Sequence, residues 1–370
     1  MQKNILFWSP FVGNIGTKRA VINSAKSLSK YTNHKIYLLN VLGEFNDFED
    51  IRIEKIDIFN VYKIAPLTGF FSKLFIFFFS IFSIPFLIRI IKKKKIDLIV
   101  SFLLGIIPLF IKQFFKNVEV IASIQGFPKF TYLRTILWKK LYTKSKTILT
   151  MSNLTKNIII KKLNYKRVYK IDNPIISQEL SKLSKEKLNP EEENIFKKKV
   201  IICVGRLTSQ KNFIEVILAI KNLNLNLNLL ILGDGEQKNF LKSEIKKHKL
   251  NNVYLLGHKV NPYKYISKSE LFISSSLWED PGHALIESAY LNTFIITSNC
   301  DAGPKEMFIN RVNCLSYPKG NKDILSQQIK LYFQDIIFSE EKKAILLKAK
   351  NLSKNFTEFR FYNSINKFII

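Results

Sequence analysis

Short apolar runs alternate with helix-like segments along both halves of this chain. Ile5 to Trp8, Val200 to Val204 and Phe294 to Thr297 are such runs, and each is short enough for a buried strand. Thr17 to Tyr31 instead has its apolar residues at helical spacing. This alternation predicts parallel sheets covered by helices, which is a doubly wound α/β fold. With 370 residues, the chain is expected to form two domains, each with its own core.

Two cations follow the predicted strand Val200 to Val204. Gly205 ends that strand, and Arg206 and Lys211 lie on the turn and helix start after it. Ligands of open α/β sheets bind beyond the carboxyl ends of strands. A forked guanidinium and a compact ammonium at that place can grip a diphosphate. Ordinary surface charge is the alternative in a chain with 58 Lys and Arg, but the position directly after a strand favours a ligand site.

Two carboxylates eight residues apart form a second element. Glu279 lies in a turn after the apolar run Leu271 to Ile273, and Glu287 lies about two turns into a helix that Gly282 opens. A helix start offers free backbone N–H groups and the positive end of its dipole, which suits a phosphate. Two acids that flank such a site indicate a ligand with hydroxyls on both sides of a phosphate. A nucleotide sugar is such a ligand.

The two elements together resemble the motifs of the retaining family 4 glycosyltransferases. Glu279 to Glu287 resembles the E-x7-E motif, and Gly205 to Lys211 resembles the G-R-x4-K motif. The resemblance implies the GT-B fold, in which two Rossmann-like doubly wound domains face each other across a cleft. It also implies a retaining hexosyl transfer from a nucleoside-diphosphate sugar, with a UDP-sugar favoured. The enzyme is expected to need neither a cofactor nor a metal. The expected acceptor is a lipid-linked glycan in cell-surface polysaccharide or lipopolysaccharide biosynthesis.

The resemblance assigns roles to the residues that match these motifs. Arg206 and Lys211 would bind the diphosphate and stabilise it as it leaves, as catalytic residues. Glu279, the third catalytic candidate, would bind hexose hydroxyls, and Glu287 would hold the ribose. Further candidate substrate-binding residues stand on or near the same motifs and loops: Gly16, Thr17, Gln125, His258, Asp280, Gly282 and His283.

Four of these further candidates rest on their place along the chain. Gly16 and Thr17 close the turn Gly13 to Thr17, which resembles the glycine loop that meets the donor phosphates in this family. Gln125 stands where many members have a His that contacts the donor sugar. His258 follows the strand near which the family recognises the base. Asp280 and Pro281 replace the usual Gly-Phe, so the loop beside the donor sugar is expected to differ in shape.

The predicted domain layout follows composition as well as the resemblance. Residues 1–175 are expected to bind the acceptor and residues 199–355 the donor. Residues 176–198 are polar and rich in Lys and Glu, which indicates a linker. Residues 356–370 are predicted to form a helix that packs back on the first domain. Thr17 is also a candidate cap for the first helix.

Charge is distributed unevenly over the chain. Residues 1–175 hold 29 Lys and Arg against 9 Asp and Glu, whereas residues 176–370 hold 29 against 20. A compositional bias of the source genome would act on both halves alike. The larger excess of Lys and Arg over acids in the first half therefore indicates an anionic partner. The favoured partner is an anionic membrane surface, and no nucleic acid is expected.

An apolar segment in the first half supports this partner. Eight Phe lie between Phe70 and Phe86, and the uncharged run Leu74 to Ile88 is followed by the basic cluster Lys92 to Lys95. A helix of that length spans roughly 22 Å, short of the ~30 Å hydrocarbon core, and Pro85 interrupts it. We therefore predict a helix that lies in the membrane interface. A buried packing helix is the alternative.

Cysteine usage bears on the compartment. Cys203, Cys300 and Cys314 are widely spaced and odd in number, which argues against a disulfide framework and a metal knuckle. The prediction is a cytoplasmic enzyme held at the inner face of the cell membrane. Alternatives are a nucleotide-sugar epimerase of the same fold, an inactive scaffold, and a basic nucleic-acid-binding protein, although no aromatic–basic recognition motif is present.

Overall fold

The computed structural model describes residues 2–12, 16–64, 69–221, 223, 225–334 and 336–370. The chain divides into two compact units, one formed by Met1–Ile175 with Phe356–Ile370 and the other by Ile176–Asn355. Each unit is built on its own parallel β-sheet with helices against it. This architecture agrees with the predicted doubly wound α/β class.

The first unit contains a parallel sheet of seven strands among its described residues. The strands are β1 (Asn4–Trp8), β2 (Lys35–Asn40), β3 (Ile53–Asp57), β4 (Leu98–Ser101), β5 (Glu119–Ile124), β6 (Thr147–Thr150) and β7 (Val168–Lys170). The helices that alternate with them are α1 (Gly16–Tyr31), α2 (Gly69–Phe82), α3 (Ile84–Lys94), α4 (Ile106–Ile111), α5 (Tyr132–Leu141) and α6 (Asn153–Leu163). The strand order is β3-β2-β1-β4-β5-β6-β7, so the winding reverses between β1 and β4.

Strand β1 shows why this sheet is covered on both sides. Leu6 and Trp8 join one hydrophobic cluster, and Ile5 and Phe7 join another on the opposite face. All four side chains are fully buried. Successive side chains of a strand point to opposite faces, so a continuous apolar run requires a helical layer on each face.

Helix α1 begins one residue earlier than predicted. Gly16 is its first residue, so Thr17 lies inside the first turn and is not the cap. The remainder of the predicted glycine loop, Gly13 to Ile15, lies outside the described residues.

A buried carboxylate closes the loop after β2. Glu44 accepts hydrogen bonds from the backbone N–H groups of Val41 (3.3 Å) and Leu42 (2.6 Å). Burial raises the pKa of this carboxyl to about 8, although the backbone donors lower it in part. The folded protein therefore holds this proton more tightly than the unfolded chain does.

Stability is expected to fall as the pH rises from 6 to 9, because Glu44 must then ionise inside the fold. The penalty grows between the unfolded and folded pKa values and is complete above the folded one. Glu44→Gln should show a shallower fall in melting temperature over the same range. Glu49→Gln, which changes an exposed carboxylate in the same loop, is the control. Equal pH slopes for the wild type and Glu44→Gln would refute this account.

The second unit contains a parallel sheet of six strands within the described ranges. The strands are β8 (Lys199–Val204), β9 (Leu227–Leu232), β10 (Val253–Gly257), β11 (Leu271–Ser274), β12 (Phe294–Ser298) and β13 (Leu315–Tyr317). Its α-helices among the described residues are α7 (Gln178–Leu183), α8 (Pro190–Ile195), α9 (Phe213–Lys221), α10 (Lys238–Lys247), α11 (Tyr263–Ile266), α12 (His283–Tyr290), α13 (Gly303–Met307), α14 (Lys322–Phe333) and α15 (Ser339–Ser353). The strand order is β10-β9-β8-β11-β12-β13, so the reversal falls between β8 and β11.

Residues 176–198 differ from the predicted linker, since they carry α7 and α8 and belong to the second unit. Leu180, Leu188 and Ile195 are buried there. The buried Glu192 of α8 forms an ion pair with Lys259 at 2.9 Å and accepts a hydrogen bond from the Tyr265 hydroxyl. Burial opposes ionisation of Glu192, but these donors outweigh it and lower its pKa to about 2. A few apolar anchors and one buried ion pair therefore fold a segment whose composition is polar.

The last helix, α16 (Glu358–Ile369), belongs to the first unit and packs on α1. The Tyr31 ring lies 5.4 Å from the Phe359 ring and 5.5 Å from the Tyr362 ring, measured between centroids. The Ser27 hydroxyl donates to the Glu358 carbonyl at 2.6 Å. These contacts fix the chain end against the sheet that contains β1.

The Phe-rich segment forms two helices that break at Ser83. Helices α2 and α3 are bent by 48° at this point, and Pro85 lies in the first turn of α3. No described helix is by itself long and apolar enough to cross a bilayer, although Phe71–Phe82 and Ile84–Lys94 meet that length and composition as a bent pair.

Candidate active site

The loop after β8 carries both predicted cations. Its backbone is held by Leu207, whose N–H donates to the Asp234 carbonyl at 2.9 Å. Arg206 is exposed, and its guanidinium has no hydrogen bond or ion pair to any residue that the structure describes. An exposed guanidinium at the carboxyl end of a strand is available to an anionic ligand.

Lys211, at the end of the same loop, pairs with Glu279. Its ammonium donates to Glu279 Oε2, and the Ser276 hydroxyl donates to the same oxygen at 3.0 Å. The side chains of Lys211 and Glu279 are 18% and 13% exposed. Lys211 follows β8 and Glu279 follows β11, and these strands are neighbours at the winding reversal. The structure therefore brings the catalytic candidates Lys211 and Glu279 together at the carboxyl edge of the second sheet.

A glycine pair shapes the loop between Glu279 and α12. Gly282 is the N-cap of α12 with φ of 97°, a conformation that favours glycine, so the predicted helix start is confirmed. A Cβ on Gly303 would lie 2.2 Å from the Pro281 carbonyl oxygen, so only glycine fits there. The Gly303 N–H donates to the Glu279 carbonyl at 3.1 Å. This close approach fixes the backbone that carries the Glu279 carboxylate.

The start of α12 borders the ion pair. A small pocket is lined by Lys211, Ser276, Glu279 and Gly282 among other residues. Asp280 and His283 are partly exposed on either side of Gly282. The positive end of the α12 dipole beside a lysine makes this pocket suitable for an anion.

Glu287 lies apart from the pocket lining. Its side chain is 3% exposed, and its Oε1 accepts a hydrogen bond from the Tyr263 hydroxyl at 3.1 Å. This buried carboxylate therefore already has a hydrogen-bond partner within the protein. Its contact with a ribose stays a prediction.

The remaining candidates lie on other loops. His258 is exposed directly after β10, in the second unit. Gln125 follows β5 in the first unit, where its amide donates to Ser123 Oγ at 2.7 Å and accepts from the Asn173 amide at 2.8 Å. Both ends of the Gln125 amide therefore have protein partners. Gly16 and Thr17 lie in the first turn of α1, exposed and partly exposed.

Sequence reasoning missed the serines that hold the pair. Ser276 donates to the Glu279 carboxylate, and the Ser275 hydroxyl donates to the Lys211 carbonyl at 2.7 Å. The signal was available, because three consecutive serines, residues 274–276, end the strand β11 at the ligand-binding edge of the sheet.

Solved structures define the class of fold. A glycosyltransferase from Rickettsia africae superposes with a TM-score of 0.80 at 18% identity, over 99% of this chain and 98% of that one. Anabaena HepE, solved in complex with UDP, superposes with a TM-score of 0.77 at 16% identity, over 100% of this chain and 99% of that one. The protein has the GT-B fold, which confirms the predicted fold class.

Sequence comparison gives the family. Residues 184–351 match the model of the glycosyl transferases group 1. An uncharacterized glycosyltransferase of Methanocaldococcus jannaschii is 32% identical over 319 residues, which cover 76% of this chain and 77% of that protein. The chain belongs to the group 1 glycosyltransferases, and it is an enzyme. The alternative of a basic nucleic-acid-binding protein falls away with this finding.

One further relative has a named substrate. The N-acetylgalactosamine-N,N'-diacetylbacillosaminyl-diphospho-undecaprenol 4-alpha-N-acetylgalactosaminyltransferase of Campylobacter jejuni is 32% identical over 180 residues, 48% of each chain.

Proposed function

We propose that this enzyme transfers a hexosyl group from a nucleoside-diphosphate sugar, with a UDP-sugar favoured, to a lipid-linked glycan acceptor, with retention of the anomeric configuration. The observation that carries the proposal is the meeting of Lys211, from the loop that also carries the exposed Arg206, with Glu279 at the carboxyl edge of the second sheet. A donor diphosphate needs cations at this place, and a hexose needs a carboxylate next to them.

Two of the comparisons support the substrates. Anabaena HepE was solved with UDP-glucose, which favours a UDP-sugar donor. The Campylobacter jejuni relative acts on a diphospho-undecaprenol glycan, and a Staphylococcus aureus relative, 31% identical over 244 residues, is named for capsular polysaccharide biosynthesis. A lipid-linked acceptor in cell-surface polysaccharide synthesis is the proposal that suits both.

The proposed chemistry follows the charge that develops during transfer. Cleavage of the glycosyl–phosphate bond leaves negative charge on the departing diphosphate. Arg206 and Lys211 meet that charge, and the start of α12 at Gly282 adds the positive end of its dipole. Groups that are fixed before the reaction stabilise such charge without reorganisation at the moment of bond cleavage.

Glu279 is proposed to contact the hexose hydroxyls, and residues of neighbouring loops are proposed to contact the rest of the donor. The Glu279 carboxylate accepts a hydrogen bond from the Ser276 hydroxyl in this structure, and a sugar hydroxyl can donate to it in the same way. Asp280 and His283 are assigned further contacts of the sugar and phosphates, and His258 a contact of the base. Glu287 is assigned the ribose, and Gly16, Thr17 and Gln125 of the first unit stay predicted substrate-binding residues.

A nucleotide-sugar screen tests the proposal. UDP-, GDP- and ADP-sugars should be added one at a time, and the melting temperature of the protein measured. A donor that binds only the folded state raises the melting temperature by mass action, so one nucleotide class should stabilise the protein and the others should not. Release of the nucleoside diphosphate should then depend on a lipid-linked glycan acceptor. Lack of stabilisation by all three classes would contradict the proposal, and isomerised sugar without acceptor would indicate an epimerase.

We also propose that the first unit binds an anionic membrane surface, because α2 exposes its aromatic side. Phe71 is 73% exposed and Phe78 60% exposed, whereas Ser72, Ser80 and Ser83 are buried. Phe75 and Phe79 of the same helix pack against the core. A helix that turns serines inward and several Phe outward is opposite to the usual arrangement of a surface helix. The alternative of a fully buried packing helix does not describe this arrangement. The outward Phe side chains require an apolar partner.

The aromatic surface extends beyond α2. Helices α3, α4 and α5 contact one another in series along the first unit. Their large exposed apolar side chains are Phe86, Phe110, Tyr132, Leu133, Ile136 and Leu137. Residues 58–171 hold 21 Lys and Arg against two acids, Asp97 and Glu119. Apolar side chains with many cations and few acids around them suit an interface with anionic lipid.

Vesicle co-sedimentation is expected to show this binding. The wild type should sediment with vesicles that contain anionic lipid at low salt, and less so at high salt. Phe78→Glu should lower the bound fraction by about tenfold, because it removes an inserted ring and adds a negative charge. The control is Phe338→Glu, which makes the same change at a 78% exposed Phe of the second unit. A wild type that stays in the supernatant, or equal loss in both variants, would contradict the proposed surface.

A further inference from the structure

Lys211 is held in place before any ligand binds. Its backbone N–H donates to the Thr208 carbonyl at 3.1 Å, and its carbonyl accepts from Ser275 Oγ at 2.7 Å. Its side chain runs over Gly205, where a Cβ would lie 3.1 Å from the Lys211 Cε atom. The ammonium is thus directed to one position in the pocket.

Glu279 is held at that same position. Its carbonyl accepts from the Gly303 N–H at 3.1 Å, and the residue forms a parallel β-bridge with Ala302. Its Oε2 takes the Lys211 ammonium and the Ser276 hydroxyl together. The partner of the ammonium in this structure is therefore a carboxylate that cannot easily move away.

A diphosphate that approaches Lys211 meets the negative charge of Glu279 at close range. Both side chains of the pair are mostly covered, so water screens this repulsion poorly. A free nucleoside diphosphate binds the ammonium of Lys211 and leaves the Glu279 carboxylate without a donor in its place. An intact nucleotide sugar also brings hexose hydroxyls, which can donate to the carboxylate in place of the ammonium.

We propose that the Lys211–Glu279 ion pair selects an intact nucleotide sugar against the free nucleoside diphosphate. This inference rests on the proposed function, since it assumes that Lys211 binds the donor diphosphate. When the donor binds, Glu279 exchanges the ammonium for sugar hydroxyls, and Lys211 turns to the diphosphate. After transfer the hydroxyls leave with the acceptor, the ion pair forms again, and the product diphosphate is released. Glu279 is then a specificity-determining residue as well as a sugar contact.

Calorimetric titration of variants tests this selection. UDP, GDP and ADP are each titrated into the protein, and then UDP-glucose, GDP-mannose and ADP-glucose. For the nucleotide that the wild type binds, Glu279→Gln should bind the free diphosphate about tenfold more tightly, because a nearby like charge is removed. The same variant should bind the sugar nucleotide no more tightly than the wild type does. Glu340→Gln, at an 81% exposed carboxylate of α15, controls for the change in net charge.

Each outcome bears on the inference. Glu279→Gln that binds the free diphosphate no more tightly than the wild type overturns the selection, and so does an equal gain in Glu340→Gln. Glu279→Asp keeps the charge but shortens the side chain away from Lys211, so it should also bind the diphosphate more tightly. This second variant decides the question if Glu279→Gln fails to fold. A wild type that binds none of the six nucleotides overturns the proposed function itself, which is a different result.

Discussion

Arg206→Ala is expected to lower kcat by roughly 10²–10³-fold, with little change in melting temperature. The guanidinium is exposed and has no partner among the residues that the structure describes, so its removal breaks no internal contact. Its proposed partner is the charge that grows on the departing diphosphate. Loss of a fixed charge partner raises the free energy of the transition state more than that of the bound donor complex. The value of kcat should therefore fall more than donor affinity does.

Two controls accompany this variant. Arg206→Lys keeps the charge but loses the planar fork, and should be intermediate in kcat. Arg360→Ala removes an exposed Arg of α16 and should keep wild-type activity. Turnover by Arg206→Ala within a factor of about two of the wild type would refute the role of Arg206, since loss of one such donor typically costs far more.

Lys211→Met is expected to lower both activity and stability. The unbranched Met side chain can follow a path similar to that of Lys, but it leaves the 13% exposed Glu279 carboxylate without its cation. The carboxylate then keeps only the Ser276 hydroxyl as a donor, and loss of the charged donor to a mostly covered carboxylate costs about 1–3 kcal/mol of folding free energy. For a unit of this size, that shifts the melting temperature by roughly 2–4 °C per kcal/mol. Activity should fall by about 10²-fold, because one diphosphate cation is lost.

The double variant Lys211→Met with Glu279→Gln separates the two effects. Removal of the stranded charge should restore most of the stability, and turnover should stay low. Thermal unfolding and kcat of the two single variants and the double variant complete the cycle. A double variant as unstable as Lys211→Met would show that the lost stability does not arise from the stranded carboxylate.

Local signals were enough to predict where the candidate residues Arg206, Lys211 and Glu279 lie on the second sheet. An apolar run that ends at Gly205, and a turn that opens a helix at Gly282, are both visible in the sequence because glycine marks the ends of elements. The cations and acids then follow from their places after β8 and β11. The partner of each side chain was not readable, because it depends on tertiary contacts. Lys211 and Glu279 are 68 residues apart, and the pairing of Gln125 with Asn173 joins residues 48 apart.

Composition gave a wrong prediction where a few buried side chains determine the local fold. Residues 176–198 read as a linker, yet Leu180 and Ile195 anchor two short helices there. The spacing of the Phe-rich segment did not show which side faces outward, since a helix that is apolar all round has little amphipathic signal. Only the structure shows that Ser80 is buried and Phe78 is exposed.

A crystal structure of the protein with the nucleoside diphosphate of the donor class that stabilises it would show directly where the diphosphate binds. We expect both phosphates within ion-pair distance of Arg206 and Lys211, in front of the start of α12, with the Lys211–Glu279 contact opened. A diphosphate bound elsewhere, with Arg206 free in solvent and Lys211 still on Glu279, would refute the proposed role of the two cations.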